Sequence, residues 1–306
     1  MHITNIGGIL MVRSSKTITR HTTAIFWNIW GSRHPTALNR YLERLWDEGL
    51  EIALLTEVTD TPFDAAIPLV HTSSRASEPP SHLNGLNRIR TALPKHIQIK
   101  YDARERRTWN CQMQADVRIP DVGFGSAMLY DRRTIKPIDI GSTTILGANP
   151  WDLRPRTLQW IAFQKGSFTY LVAHLHGVWI EGNTKGDHAA RLQQSEEVTL
   201  WLSYLKRYLE VDKFIFGGDL NLDINTEALR RLERGGVVSP PLRLRNLIRE
   251  FDIVDMRTSA YRKHGQAGET MYADYALVSS NVCVHDFTVD TKLTISDHAP
   301  LLLTFS

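Results

Sequence analysis

The chain has 306 residues, 42% of them hydrophobic, with a net charge of +3 and a pI near 8.8. That is ample material for a sizeable core, in one large α/β domain or two ordinary ones, and the mild basicity fits a polyanionic ligand without demanding one. Two distant cysteines, Cys111 and Cys283, suit buried free thiols better than a disulfide framework, and no apolar run approaches the ~20 residues of a membrane span.

Residues 1–20 carry little pattern. The apolar stretch from Ile6 to Val12 has no basic segment before it and no clear cleavage site after it, so it reads as a tail and not as a signal peptide. A cytoplasmic location is expected. TTAIFWNIW, residues 22–30, reads as a β-branched and aromatic strand. A helix follows, with Pro35 at its start, Leu38, Tyr41, Leu42 and Leu45 at helical spacing, and Gly49 past its end. EIALLTE, residues 51–57, is a short buried strand ending in Glu57. Residues 61–107 read as irregular and basic, with Arg88, Arg90, Lys95, Lys100, Arg104, Arg106 and Arg107.

Strands are expected at 108–118, 124–131, 157–164 and 168–177. Residues 188–210 form the longest helical pattern, with Leu192, Val198, Trp201, Leu202, Leu205 and Leu209 on one face. KFIFGGDLN, 213–221, is a strand then a loop. Residues 224–251 are helical or mixed, broken at Gly235-Gly236 and Pro240-Pro241, and strands close the chain at 272–279, 282–290 and 299–305. Alternating and continuous apolar patterns together predict two packed sheets with helices outside, in the α/β (α+β) class. Without a repeat or a linker, one domain over 21–306 after a flexible tail over 1–20 is the simpler organisation.

Two acidic signatures lie in the last third: Gly217-Gly218-Asp219-Leu220-Asn221 and Ser296-Asp297-His298-Ala299-Pro300. Each sets a carboxylate beside a residue able to hold a phosphate oxygen, which is what metal-assisted phosphate-ester hydrolysis needs. Asp219 and Asn221, two apart, share a face if the segment is extended; Gly, Asp and Asn are equally ordinary turn residues. Asp297 and His298 can serve one site only if the backbone there is a loop or bulge, and an exposed Ser-Asp-His loop is the plainer alternative. Asp274, at the head of an apolar strand, needs a partner, and His298 is the natural one. Glu57 offers a hard ligand to Mg²⁺ or stands as a solvated strand end. Asn28 sits inside an apolar run and needs a partner in a metal shell or the backbone. His174 and His176 share a strand face; Gly177 turns the chain out after them, which leaves His176 nearest the rim.

The order along the chain is more specific than any one signal. FWNIW, LLTEV, HLHGVW, GGDLNLD, YADYALVS and SDHAPLLLTF together resemble the endonuclease/exonuclease/phosphatase superfamily, DNase I-like metal-dependent phosphohydrolases. The resemblance implies a four-layer α/β/β/α sandwich, with two mixed sheets flanked by helices. It implies Mg²⁺, with Mn²⁺ able to substitute, ligated by Glu57 with Asn28 and Asp297 close by. Asp219 would activate water, Asn221 and His176 would hold phosphoryl oxygens, and His298 paired with Asp274 would contact the scissile phosphate. The His before Gly is the motif residue, which favours His176 over His174. Thr56 stands where many members have Gln, and the Tyr and Arg that some DNA-cleaving members use have no clear counterpart among Tyr101, Tyr130, Arg154 and Arg156.

The expected activity is phosphodiester hydrolysis by direct water attack. A nucleic acid is the expected partner, because a second basic stretch holds Arg230, Arg231, Arg234, Arg243, Arg245 and Arg249 against Glu233, and Trp109 offers a stacking platform beside the first. His174, Arg156 and Trp109 complete the candidate substrate contacts. The alternatives are a phosphatase or phosphodiesterase of a small molecule or lipid headgroup, and a catalytically silent member that only binds. The oligomeric state is left open by the sequence.

Overall fold

The computed structural model describes residues 21–30, 34–60, 85–110, 118–146, 155–180, 185–236, 241–258 and 272–306; the side chains of 103–110 and 118–124 are outside the described set. The expected tail over 1–20 is therefore outside it as well. The elements in order are Thr22–Asn28 (β1), Pro35–Asp47 (α1), Ile52–Asp60 (β2), Gly85–Ala92 (α2), Ile97–Asn110 (β3), Arg118–Asp131 (β4), Pro137–Leu146 (β5), Arg156–Lys165 (β6), Phe168–Leu175 (β7), Ala189–Tyr208 (α3), Lys213–Asp219 (β8), Glu227–Arg234 (α4), Leu244–Asn246 (β9), Leu247–Glu250 (α5), Asp274–Ser279 (β10), Val284–Val289 (β11) and Leu301–Phe305 (β12).

They form two six-stranded sheets, ordered β11-β12-β1-β2-β4-β3 and β5-β6-β7-β8-β10-β9. Both are mixed: β1 pairs with β2, and β7 with β8, in parallel, while the other pairs are antiparallel. Alternation along β1 decides the layering. Ala24 and Phe26 join the core shared with the second sheet, whereas Ile25, Trp27 and Ile29 pack with Leu38, Leu42 and Leu45 of α1. On the far side, Val198, Leu202 and Leu205 of α3 and Leu229 and Leu232 of α4 cover the second sheet. The result is the DNase I-like α/β/β/α sandwich. Among the described residues no helix is long and apolar enough to cross a membrane.

Several elements differ from expectation. Residues 61–107 are not wholly irregular: they hold α2 and the start of β3. Only Gly85, Leu86 and Ile89 of α2 are buried, so its apolar stripe is too thin to stand out among Arg and Asn. The strand expected at 108–118 is two: β3 ends at Asn110 and β4 begins at Arg118. β5 carries little pattern because it is the edge of its sheet and mostly half-exposed. β2 runs past Glu57 to Asp60 through a bulge. The buried face of α3 is Ala190, Arg191, Gln194, Ser195, Val198, Thr199, Leu202 and Leu205, about one position removed from the leucine-rich face, with Trp201 and Leu209 only partly covered.

Phe26 is 1% exposed and sits between the sheets. Phe26→Ala should cost about 3–5 kcal/mol, read from the denaturant midpoint; a cost below about 1 kcal/mol would mean the sheets do not interlock there.

Candidate active site

Six of the expected residues meet at one end of the sandwich, where strand ends from both sheets converge. The inward face of β1 continues from Ala24 and Phe26 to Asn28, and Asn28 Nδ2 donates to Asp219 Oδ2 at 2.9 Å. Asp219 ends β8 and lies directly opposite Asp274, which begins β10. Both carboxylates are 2% exposed. His298 lies in the loop before β12; its Nδ1 is 2.7 Å from Asp274 Oδ2 and its Nε2 3.7 Å from Asp219 Oδ2. His176 follows β7 and brings its Nε2 to 3.7 Å from the same Asp219 oxygen and 3.9 Å from Glu57 Oε1.

Local backbone geometry aims these groups. Plain alternation would turn Glu57 to the outer face of β2. The register shift between Thr56 and Val58, with φ +56° at Glu57, inserts an extra residue and re-aims the carboxylate across the rim toward His176. Gly218 has φ +117°, and an added Cβ would overlap the carbonyl oxygen of Leu175. Gly177 is as confined: a Cβ there would overlap the Leu220 carbonyl, and its N–H donates to Asp219 O at 2.6 Å. The chain does turn after His176, but the glycine is needed because the β7 and β8 exits touch.

Asp219 and Asn221 do not share an extended face. Asn221 has φ +53° and its N–H donates to Asp219 Oδ1 at 3.1 Å, so the segment is a turn and the turn builds the site. Asn221 Nδ2 donates to Gly177 O at 3.3 Å. The Ser-Asp-His segment is clamped to β1: Ser296 Oγ donates to Asn28 O at 2.7 Å and accepts from His298 N at 3.2 Å, while Trp27 Nε1 donates to His298 O at 2.9 Å. Asp297 is half-buried beside them, its Oδ1 accepting from Ser296 Oγ at 3.3 Å.

Other expected residues stand elsewhere. His174 is fully buried, with Nε2 2.5 Å from Gln159 Oε1; Gln159 in turn donates to Asp102 Oδ2 at 2.7 Å. Gln159 thereby links His174 to the other sheet, and of the two histidines it is His176 that is seen to approach Asp219. Arg156 is 2% exposed and its Nη1 donates to His176 O at 3.4 Å, under the backbone that carries His176. Trp109 lies in β3, its side chain outside the described residues, as is all of Arg154. Much of the second basic stretch is ion-paired: Arg231 pairs with Glu196 and Glu227, Arg230 and Arg234 with Glu227, Arg245 with Glu250 and Arg249 with Glu233. Apart from Glu233, those glutamates lie just past the ends of the stretch or on α3.

Two cations near the acids carry no motif. The Arg257 segment pairs with that of His298, through an isolated bridge and through Ala299 N to Met256 O at 3.1 Å. Arg191, fully buried on α3, donates to Gly186 O at 2.6 Å; burial lowers it to about 10, against the pull of Asp187 and Asp219, so it stays charged at neutral pH. A charge on the core face of an amphipathic helix was the available signal for Arg191.

Burial raises Asp274 to about 6, opposed by Arg257 and Lys185. Burial, reinforced by Arg257, lowers His298 to about 4. At neutral pH the pair is therefore carboxylate and neutral imidazole. An ionised carboxylate only accepts, so Nδ1 carries the hydrogen and Nε2 is left basic, facing Asp219. Asp219, Asp274 and His298 each offer a ligand atom within 4.8 Å of the others, close enough to share a cation. Glu57 approaches the cluster through His176, and Asp297 through Ser296 and Asn28; carboxylate oxygens are the hard donors a small divalent ion takes.

No family model matches the sequence, and no curated protein is similar to it in sequence. Solved structures do match in fold. The endonuclease/exonuclease/phosphatase from Bacteroides vulgatus is 14% identical, with a TM-score of 0.64 over 94% of this chain and 98% of that one. The human Nocturnin catalytic domain, with a bound sulfate anion, is 16% identical, with a TM-score of 0.61 over 94% and 93%. The mannosyl-6-phosphatase of Bacteroides thetaiotaomicron VPI-5482 is 16% identical, with a TM-score of 0.60 over 93% and 99%.

The two shifts of the Asp274–His298 pair have opposite effects on stability. The raised carboxyl alone would cost stability as pH rises from about 4 to about 6, and the lowered imidazole alone would add it over the same range. In the intact pair they cancel. His298→Ala should unmask the carboxyl, so that the variant loses stability relative to wild type by on the order of 1 kcal/mol per pH unit over that range. Denaturant titrations at both ends would show it, and an offset that does not change with pH would refute it.

Proposed function

We propose that this chain, which has the fold of endonuclease/exonuclease/phosphatase proteins, is a metal-dependent phosphoester hydrolase that directs water at phosphorus without a covalent intermediate. The observation that carries this reading is the convergence on one atom. Asp219 Oδ2 is 2.9 Å from Asn28 Nδ2 and 3.7 Å from the Nε2 atoms of both His176 and His298, groups drawn from both sheets. Asp219 Oδ1 is held by Asn221 N. A carboxylate fixed at both oxygens is suited to orient a water and take its proton.

Asn221, His176 and His298 would hold phosphoryl oxygens. With Asp274 accepting from Nδ1, an anionic phosphate oxygen arriving at Nε2 favours the imidazolium, which then donates to that oxygen as charge builds. Glu57, with Asn28 and Asp297 near it, would hold Mg²⁺, with Mn²⁺ able to substitute. The ion would supply charge neutralisation at the phosphoryl and leaving oxygens. Arg156 would act by fixing the backbone of His176, and His174 by holding Gln159, which joins the sheets.

Nucleic acid is the substrate class to test first, because the net charge is positive and suits a polyanion. A small phosphoester is the second reading, and the ion-paired arginines of α4, β9 and α5 favour it by weakening one of the two basic tracks.

Purified protein with Mg²⁺ should hydrolyse labelled single- or double-stranded DNA or RNA. EDTA should abolish the activity, and Asp219→Asn should lower it by about 10²–10³-fold or more. Asp274→Asn, which leaves His298 without its acceptor, should lower the rate by about 10²–10⁴-fold and shift its pH profile. Turnover of phosphate monoesters alone would establish the second reading, and turnover of neither class would end the proposal.

A further inference from the structure

α3 covers the second sheet with Val198, Leu202 and Leu205, yet its opposite side is also apolar. Leu200, Tyr204 and Tyr208 are 48%, 47% and 68% exposed. Spaced at three to four residues, they form one stripe with Trp201. The aromatic rings are ordered against each other: Trp201 stacks on Trp160 at 6.4 Å and meets Tyr204 edge-on at 5.5 Å, and Tyr204 stacks on Tyr208 at 5.6 Å. Rings held this way lose little freedom on docking, and a contiguous apolar face on an exposed helix is not needed for the fold.

The charges along the stripe say what fits it. Glu197 stands at one end and Arg207 at the other, and neither has an ion-pair partner among the described residues, unlike Glu196, which holds Arg231. They are about 15 Å apart along the axis, and the midpoint between Leu200 and Tyr204 is also the midpoint between the two charges. A two-fold axis through that midpoint sets Glu197 of one helix opposite Arg207 of the other, and Leu200 opposite Tyr204. The face is complementary to itself, as a two-fold interface requires. We infer that α3 docks antiparallel on α3 of a second copy of this chain. The four apolar side chains offer on the order of 100 Å² each, so with the polar rim the contact falls at the low end of specific interfaces and its dissociation constant on the order of micromolar.

Sedimentation of the whole protein from about 1 to 100 µM tests this, with far-UV circular dichroism to verify that each variant is folded. A monomer–dimer equilibrium is expected. Tyr204→Glu should weaken it by about 30-fold or more, and Glu197→Lys should weaken it by like charge against Arg207. Glu197→Lys combined with Arg207→Glu should restore it, which damage to the fold would not do. A monomer throughout the range would overturn the inference. So would a dimer indifferent to Tyr204→Glu, or a charge swap that fails to rescue.

Discussion

Two carboxylates, Asp219 and Asp274, are buried directly opposite each other where β8 meets β10. Like charges across a strand pair repel, and removal from water makes each one costly. The rest of the site can be understood as the set of groups that makes this arrangement tolerable. Asn28 and the Asn221 backbone donate to Asp219, His298 donates to Asp274, and Arg191 and Arg257 supply positive charge from behind. A divalent cation held by Glu57 would complete the balance. Acidity and its compensation thus come from separate stretches of chain in both sheets, none adequate alone.

The close approach of these stretches is bought with backbone freedom. β7 and β8 leave the sheet in contact, which only Gly177 and Gly218 allow. β2 departs from regular pleating at the one residue whose carboxylate must cross to the other sheet. These irregularities lie at the rim, while β7 and β8 behind them are regularly paired and buried. The scaffold carries its unusual geometry where ligands can reach it.

The fold was largely legible because its strands keep a period of two or run continuously apolar, as β1, β7 and β8 do. What escaped was thinly patterned: α2, with three buried residues, and the edge strand β5, whose environment asks little of its side chains. The acids and histidines of the site could be read from short motifs because their chemistry restricts residue type. Their orientations could not. For Asp219 and Asn221 an extended face and a turn were both open and the structure has the turn, and Glu57 needed a bulge that no residue in LLTEV announces. Arg257 was invisible because pairing between distant segments leaves no local trace. The arginines of α4, β9 and α5 looked like a basic track because their partners, Glu196 and Glu227 among them, lie just beyond the run or on another helix.

The Ser296 hydroxyl joins the loop before β12 to the carbonyl of Asn28, across a separation of 268 residues. β12 is an interior strand, seated between β11 and β1. A chain emerging from the ribosome therefore carries Asp219 and Asn28 long before it has His298. Closing so long a loop is slow compared with forming local structure. The cluster around Asp219 is completed only when the segment that carries His298 docks on β1.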